Sequence, residues 1–152
     1  MLRISPKIHA QIVAHCLAGL PDEACGLLAA VPSPVSGAEL ADHTIERCYP
    51  TRNAAASAKL YVVHPQDQLR ADRDAEAGGL EIVGVFHSHT HTDAYPSATD
   101  VDQAPDPGWH YVIVSLRQAQ PSLRSYRIVD GTVSEEPLLT AEQAGPGAPV
   151  EY

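Results

Sequence analysis

The chain has 152 residues, 44% of them hydrophobic and 19% charged, which suits one folded domain with a core large enough to need no disulfide staples. Ten Lys and Arg against nineteen Asp and Glu give a formal net charge of −9, which argues against a nucleic-acid binder with its basic face and against a surface tuned to anionic lipid. No apolar run approaches the roughly 20 residues needed to span a bilayer, and the start MLRISPKIHAQ lacks the charged-then-apolar order of a signal peptide, so the expected address is the cytoplasm.

In chain order, Ser5 followed by Pro6 reads as a helix cap with proline at the first helical position. Ile8, Ile12, Val13, Cys16, Leu17 and Leu20 recur at helical spacing, so a helix is expected over 6–19, stopped by Gly19 and Pro21. The continuous apolar run Ala24–Val31 reads as a buried strand, and Pro32–Gly37 as a turn-rich loop. A second strand is expected over 43–49 and a loop over Asn53–Ser57. A third strand is expected over Lys59–Val63, followed by a polar helix over 65–77 ended by Gly78 and Gly79. Leu80–His87 has the composition of a central strand. A polar loop then runs to Pro96, and a short helix over Ser97–Ala104 follows, because Ser97 and Asp100 have capping-box spacing. Strands are expected over His110–Leu116, Leu123–Val129 and Thr132–Leu139, with Asp130-Gly131 as a hairpin turn. The fold class is therefore α/β, a single domain with one mixed central sheet flanked by helices. It is expected to span residues 1–138, with a flexible tail over 139–152.

Three cysteines, Cys16, Cys25 and Cys48, are odd in number and without a CxxC pair, so reduced, buried thiols are expected. Eight histidines are more informative, because His87 and His89 sit two apart at the end of an apolar strand, where i and i+2 share a face. Both imidazoles can point at one metal, and Asp100, on the first turn of the next helix, can supply an oxygen. Two His and one Asp are three protein ligands, the pattern of a catalytic zinc that keeps its fourth position for water. Taken alone, the histidines could be ordinary strand-end residues, and Ser97 with Asp100 could be only a helix cap.

The segment His87-Ser88-His89, then THTDAYP, then Ser97-Ala98-Thr99-Asp100 resembles the signature of the JAMM (MPN+, JAB1/MPN) zinc metalloproteases. That signature is His-x-His, seven residues, Ser, two residues and Asp, with a Glu far upstream. The upstream acid is matched by Glu23 in PDEACGLL, and the order of elements agrees along 1–135. The resemblance implies one catalytic zinc held by His87, His89 and Asp100. It implies that Glu23 is the base that moves a proton from water to the leaving amine, and that Ser97 donates to the oxyanion. Ser88 would support these groups without touching substrate.

Within the family, HSHTHTDAYPSATDVDQA is most similar to the short bacterial Mec-type hydrolases, with His91 as a departure from their pattern. That likeness implies cleavage after the C-terminal Gly-Gly of a ubiquitin-like sulfur-carrier protein, with release of cysteine during cysteine biosynthesis. The competing readings are an isopeptidase that removes a ubiquitin-like modifier from lysine and a non-catalytic MPN scaffold. Cys25 is expected to be a buried strand residue rather than a nucleophile. His64 and His110 read as structural, His91 and Asp93 as solvated, and Tyr95 and Trp109 as packing or as flanks of a peptide groove.

Overall fold

A computed structural model describes residues 1–34 and 40–140. In chain order the elements are β1 (Leu2–Ile4), α1 (Pro6–Gly19), β2 (Cys25–Ala30), β3 (His43–Thr51), α2 (Pro65–Ala77), β4 (Glu81–His89), α3 (Ala98–Asp102), β5 (His110–Ser115), β6 (Ser122–Val129), β7 (Thr132–Glu136) and β8 (Leu138–Thr140). They build one eight-stranded sheet in the order β7-β6-β5-β4-β2-β3-β1-β8. It is mixed, because β4 lies parallel to β5 and β1 parallel to both β3 and β8, while the other pairings are antiparallel.

The central strands carry unbroken apolar runs because both faces of the sheet are covered. Leu28, Phe86, Val112 and Val114 pack with Ile8, Ile12 and Cys16 of α1. Leu27, Val85, Ile113 and Tyr126 form a second core with Ala71 of α2. Gly26 is required where β2 meets β4, since a Cβ there would lie 2.3 Å from the Phe86 ring and 2.6 Å from the Tyr49 carbonyl.

Helix α1 begins as expected, with Ser5 Oγ accepting from the Ile8 amide, but its apolar face is narrower than its sequence pattern, because Leu17 and Leu20 are exposed. Two short strands, β1 and β8, fall below the length at which a pattern can be read. The single strand expected over 132–139 is two strands, interrupted at Pro137, which has no N–H for a ladder. Residues 139 and 140 belong to β8; the remainder of the expected tail, 141–152, and part of the 32–37 loop lie outside the described residues.

Lys59–Val63 is not a strand. Only a single bridge joins Val63 to Asn53, because the Leu60 carbonyl and the Val62 amide bond to the Asn53 side chain instead of to a neighbouring strand.

Far from the His-x-His segment, four side chains make a buried polar knot. His110 Nδ1 donates to Glu136 at 2.8 Å, and Arg127 Nε lies 2.7 Å from the other Glu136 oxygen. His110 Nε2 is thereby left as an acceptor, lying 2.8 Å from His43 Nδ1 and 3.2 Å from Arg127 Nη2. His43 Nε2 is then an acceptor with no partner. Burial, then the neighbouring His110 and Arg127, push the His43 pKa down to about 4, against a smaller upward pull from Glu136 and Asp42.

A histidine whose folded-state pKa lies below its unfolded value near 6.5 contributes stability above that value and loses it as pH falls toward the folded pKa. The melting temperature is therefore expected to fall between pH 6.5 and 4, and His43→Asn to flatten that slope. An unchanged slope in the variant would refute the assignment.

Candidate active site

The site is assembled at one end of the sheet by the register of β2 on β4. Cys25 lies opposite His87 in that ladder, so the segment just before β2 is carried to the end of β4. Ser88 fixes the junction twice. Its amide donates to the Ala24 carbonyl at 3.0 Å, and its Oγ accepts from the Ala24 amide at 2.9 Å. Glu23, one residue earlier, is thereby held beside the strand end.

His87, His89 and Glu23 are all buried, and one ligand atom from each lies within 4.8 Å of the others. Asp100 joins them from α3. Its Oδ2 lies 3.2 Å from His87 Nε2 and 3.1 Å from His89 Nε2, and the two Nε2 atoms are 3.1 Å apart. Asp100 is aimed by a complete capping box, in which Ser97 Oγ accepts from the Asp100 amide at 3.0 Å and the Ser97 amide donates to Asp100 Oδ2 at 2.8 Å. His89 Nδ1 donates to the Asp93 carbonyl at 2.8 Å. Nε2 then faces the cluster, donating to Asp100 when the ring is protonated and offering a lone pair when it is neutral. Tyr61 stacks on His87, with centroids 4.2 Å apart and planes 20° apart.

The donor set suits a small divalent cation. Two imidazole nitrogens and one carboxylate oxygen at 3.1–3.2 Å are slightly closer than the edge of about 3.4 Å implied by tetrahedral ligands about 2.1 Å from a zinc ion. The two acids are tuned in opposite directions. Burial pushes Glu23 up to about 7, with His89 lowering and Asp100 raising it further. Burial also opposes ionisation of Asp100, yet hydrogen bonds from His87, His89 and the Ser97 amide hold it well below the usual carboxylate range. Burial lowers His87; it also opposes protonation of His89, but there the hydrogen bonds to Asp100 and to the Asp93 carbonyl, with the nearby Asp100 and Glu23 charges, together outweigh it and raise the ring.

All five residues singled out in the sequence, Glu23, His87, His89, Ser97 and Asp100, therefore lie at one end of the sheet. Cys25 is buried with its thiol pushed up to about 11 by burial, and its Sγ lies 3.3 Å from Thr51 Oγ1; it is not poised as a nucleophile. His91 is exposed, His64 caps α2, and Tyr95 rests edge-on against Tyr126. Trp109 lines a cavity of about 200 Å³ with Leu27, Tyr61, Val63 and Val85.

Sequence reasoning missed Tyr61, Asn53 and the Asp93 carbonyl. The Asp93 side chain is solvated as expected, but its main chain holds His89, a role that no side-chain pattern signals.

Residues 5–129 match Prok-JAB, the prokaryotic homologs of the JAB domain. The chain belongs to this family. Among curated relatives, this Prok-JAB chain is 46% identical over 133 residues to the CysO-cysteine peptidase of Mycobacterium tuberculosis, covering 87% of this chain and 86% of the relative. It is 30% identical over 119 residues to the desampylase of Haloferax volcanii, covering 75% and 80%. Among solved structures, a protein of Desulfitobacterium hafniense superposes with a TM-score of 0.81 at 32% identity, covering 97% of this chain and all of that one. A JAB1/MPN domain protein from Archaeoglobus fulgidus shares the fold, with a TM-score of 0.52 at 17% identity over 91% of this chain and 99% of that one.

Removing the Ser88 hydroxyl strands the buried Ala24 amide, so Ser88→Ala should cost about 1–3 kcal/mol. Urea unfolding is expected to show a lower midpoint at unchanged slope.

Proposed function

We propose that this protein is a zinc-dependent peptidase that cleaves the amide bond after the C-terminal Gly-Gly of a ubiquitin-like sulfur carrier and releases cysteine, as a step of cysteine biosynthesis in the cytoplasm. The observation that carries the reading is the Glu23 carboxylate, buried and unpartnered at Oε2, beside a cluster of two imidazoles and one aspartate. The likeness to the CysO-cysteine peptidase over 87% of the chain supports the substrate class. Among the described residues no helix is long and apolar enough to cross a membrane.

In this reading His87, His89 and Asp100 hold the ion, and the catalytic domain, expected over 1–138, runs on through β8 to Thr140. Zinc, when bound, lowers the pKa of a water to about 7 and polarises a carbonyl. Glu23 takes the proton from the attacking water and passes it to the leaving amine. Its pKa, raised to about 7 by burial, is matched to that exchange near neutrality, and a nearby dication would draw it lower. Ser97 Oγ accepts from the Asp100 amide, so its own proton is free to be donated to the oxyanion that forms at the scissile carbonyl.

An isopeptidase acting on a ubiquitin-like modifier at lysine is the second reading, supported by the 30% identity to the desampylase. A scaffold role fits less well, since every member of the donor set is retained.

The zinc-loaded protein, incubated with a ubiquitin-like carrier ending in Gly-Gly-Cys, is expected to produce the mass loss of one cysteine, and to act more slowly on the same carrier joined to lysine. The opposite preference would establish the isopeptidase reading. Asp100→Ala is expected to lower zinc affinity at least about tenfold by chelator competition. By contrast, Glu23→Ala should keep its zinc while turnover falls by about 10²–10⁴. A fully active Glu23→Ala protein would overturn the mechanism.

A further inference from the structure

Glu23 lacks the hydrogen bonds that usually fix a side chain on which a reaction depends. Its Oε2 is buried without a partner, and among the described residues no donor bonds to the carboxylate. Where that carboxylate sits is therefore set by the main chain beneath it. The Glu23 amide donates to the Ser57 carbonyl at 2.8 Å. The Glu23 carbonyl accepts from Asn53 Nδ2 at 2.9 Å. Beyond these, the chain is next held at Ala24 by Ser88.

Asn53 stands behind both anchors of Glu23. Its Nδ2 also donates to the Leu60 carbonyl at 2.9 Å, and its Oδ1 accepts from the Ala55 and Val62 amides, each at 3.0 Å. Both nitrogen contacts are carbonyls and both oxygen contacts are amides, so the network fixes which way the side chain faces. These bonds close the 54–62 loop. That loop carries Ser57, whose carbonyl receives the Glu23 amide, and Tyr61, whose ring covers His87. One amide side chain thus ties the buried acid and the cover of one imidazole to the same point.

Resting on the hydrolytic reading above, we propose that Asn53 is a positioning residue. It sets the Glu23 carboxylate against the His87–His89–Asp100 cluster and seats Tyr61 on His87. No other side chain reproduces the pattern. Aspartate keeps the two acceptor bonds but faces the Glu23 and Leu60 carbonyls with no donor, and alanine loses all four bonds. An acid displaced by a fraction of an ångström slows proton transfer without changing how the extended substrate binds.

Two measurements test this on the zinc-loaded protein. In steady-state kinetics on the Gly-Gly-Cys carrier, well below its melting temperature, Asn53→Asp is expected to lower kcat about 10–100-fold, with KM and zinc content close to those of the parent and a lower melting temperature that still leaves the protein fully folded in the assay. Full kcat in Asn53→Asp would overturn the proposal, as would a loss explained by a smaller folded fraction. In hydrogen exchange followed by NMR, Asn53→Ala is expected to speed exchange at the Glu23, Ala55 and Val62 amides while the β5 amides of Val112 and Val114 stay protected. Faster exchange across β5 as well would reduce Asn53 to a general structural residue and overturn the proposal. The exchange measurement needs no substrate. A parent protein inactive on the carrier would therefore count against the hydrolytic reading, while the exchange pattern would still decide the role of Asn53.

Discussion

The two hydrogen bonds between Ser88 and Ala24 carry more of this molecule than their size suggests. They tie the last turn of chain before β2 to the end of β4, so that a buried acid and two buried imidazoles meet at one point of the sheet. A β-ladder permits no gradual adjustment, because a slip of one residue sends every side chain to the opposite face. With Cys25 opposite His87, the register leaves Glu23 beside the strand end. Asp100 comes from α3, outside the sheet, and its aim is fixed by its own capping box with Ser97.

The same enclosure gives two carboxylates opposite characters. Desolvation acts on both, but Asp100 takes hydrogen bonds from imidazoles and a main-chain amide, whereas Glu23 has only the charge of His89 nearby to set against burial. One stays ionised and the other titrates near neutrality, the division that the proposed ligand and base require. Two acids are separated here by environment rather than by type, which is a general route to acid and base roles in one site.

Other histidines show how little residue type alone decides. His110 and His43 are as enclosed as the pair on β4, yet they are joined to Glu136 and Arg127 in a knot that satisfies most of their polar atoms. Three of their four nitrogens are engaged within the knot, which joins β3 to β5, β6 and β7, and the fourth, His43 Nε2, is buried without a partner. His64 is spent on the first turn of α2. What distinguishes His87 and His89 is that their free nitrogens converge with an aspartate oxygen.

Much of this was legible in the chain of residues itself. Proline after a capping residue, glycine at the helix end and the apolar runs of the central strands are local signals, which is why α1, α2 and the core strands lie close to where they were expected. The fixed spacing of His87, His89, Ser97 and Asp100 was readable for the same reason, since strand alternation and capping act over a few residues. Glu23 was legible only through resemblance, because 64 residues separate it from His87 and nothing local marks it. Tertiary structure alone decided that Lys59–Val63 would be a loop, that Asn53 would hold it, that Tyr61 would cover His87 and that the Asp93 carbonyl would set the His89 ring. Each depends on a main-chain group finding a partner far along the sequence or in a turn without periodicity, and such pairings are settled by the packing of the whole sheet.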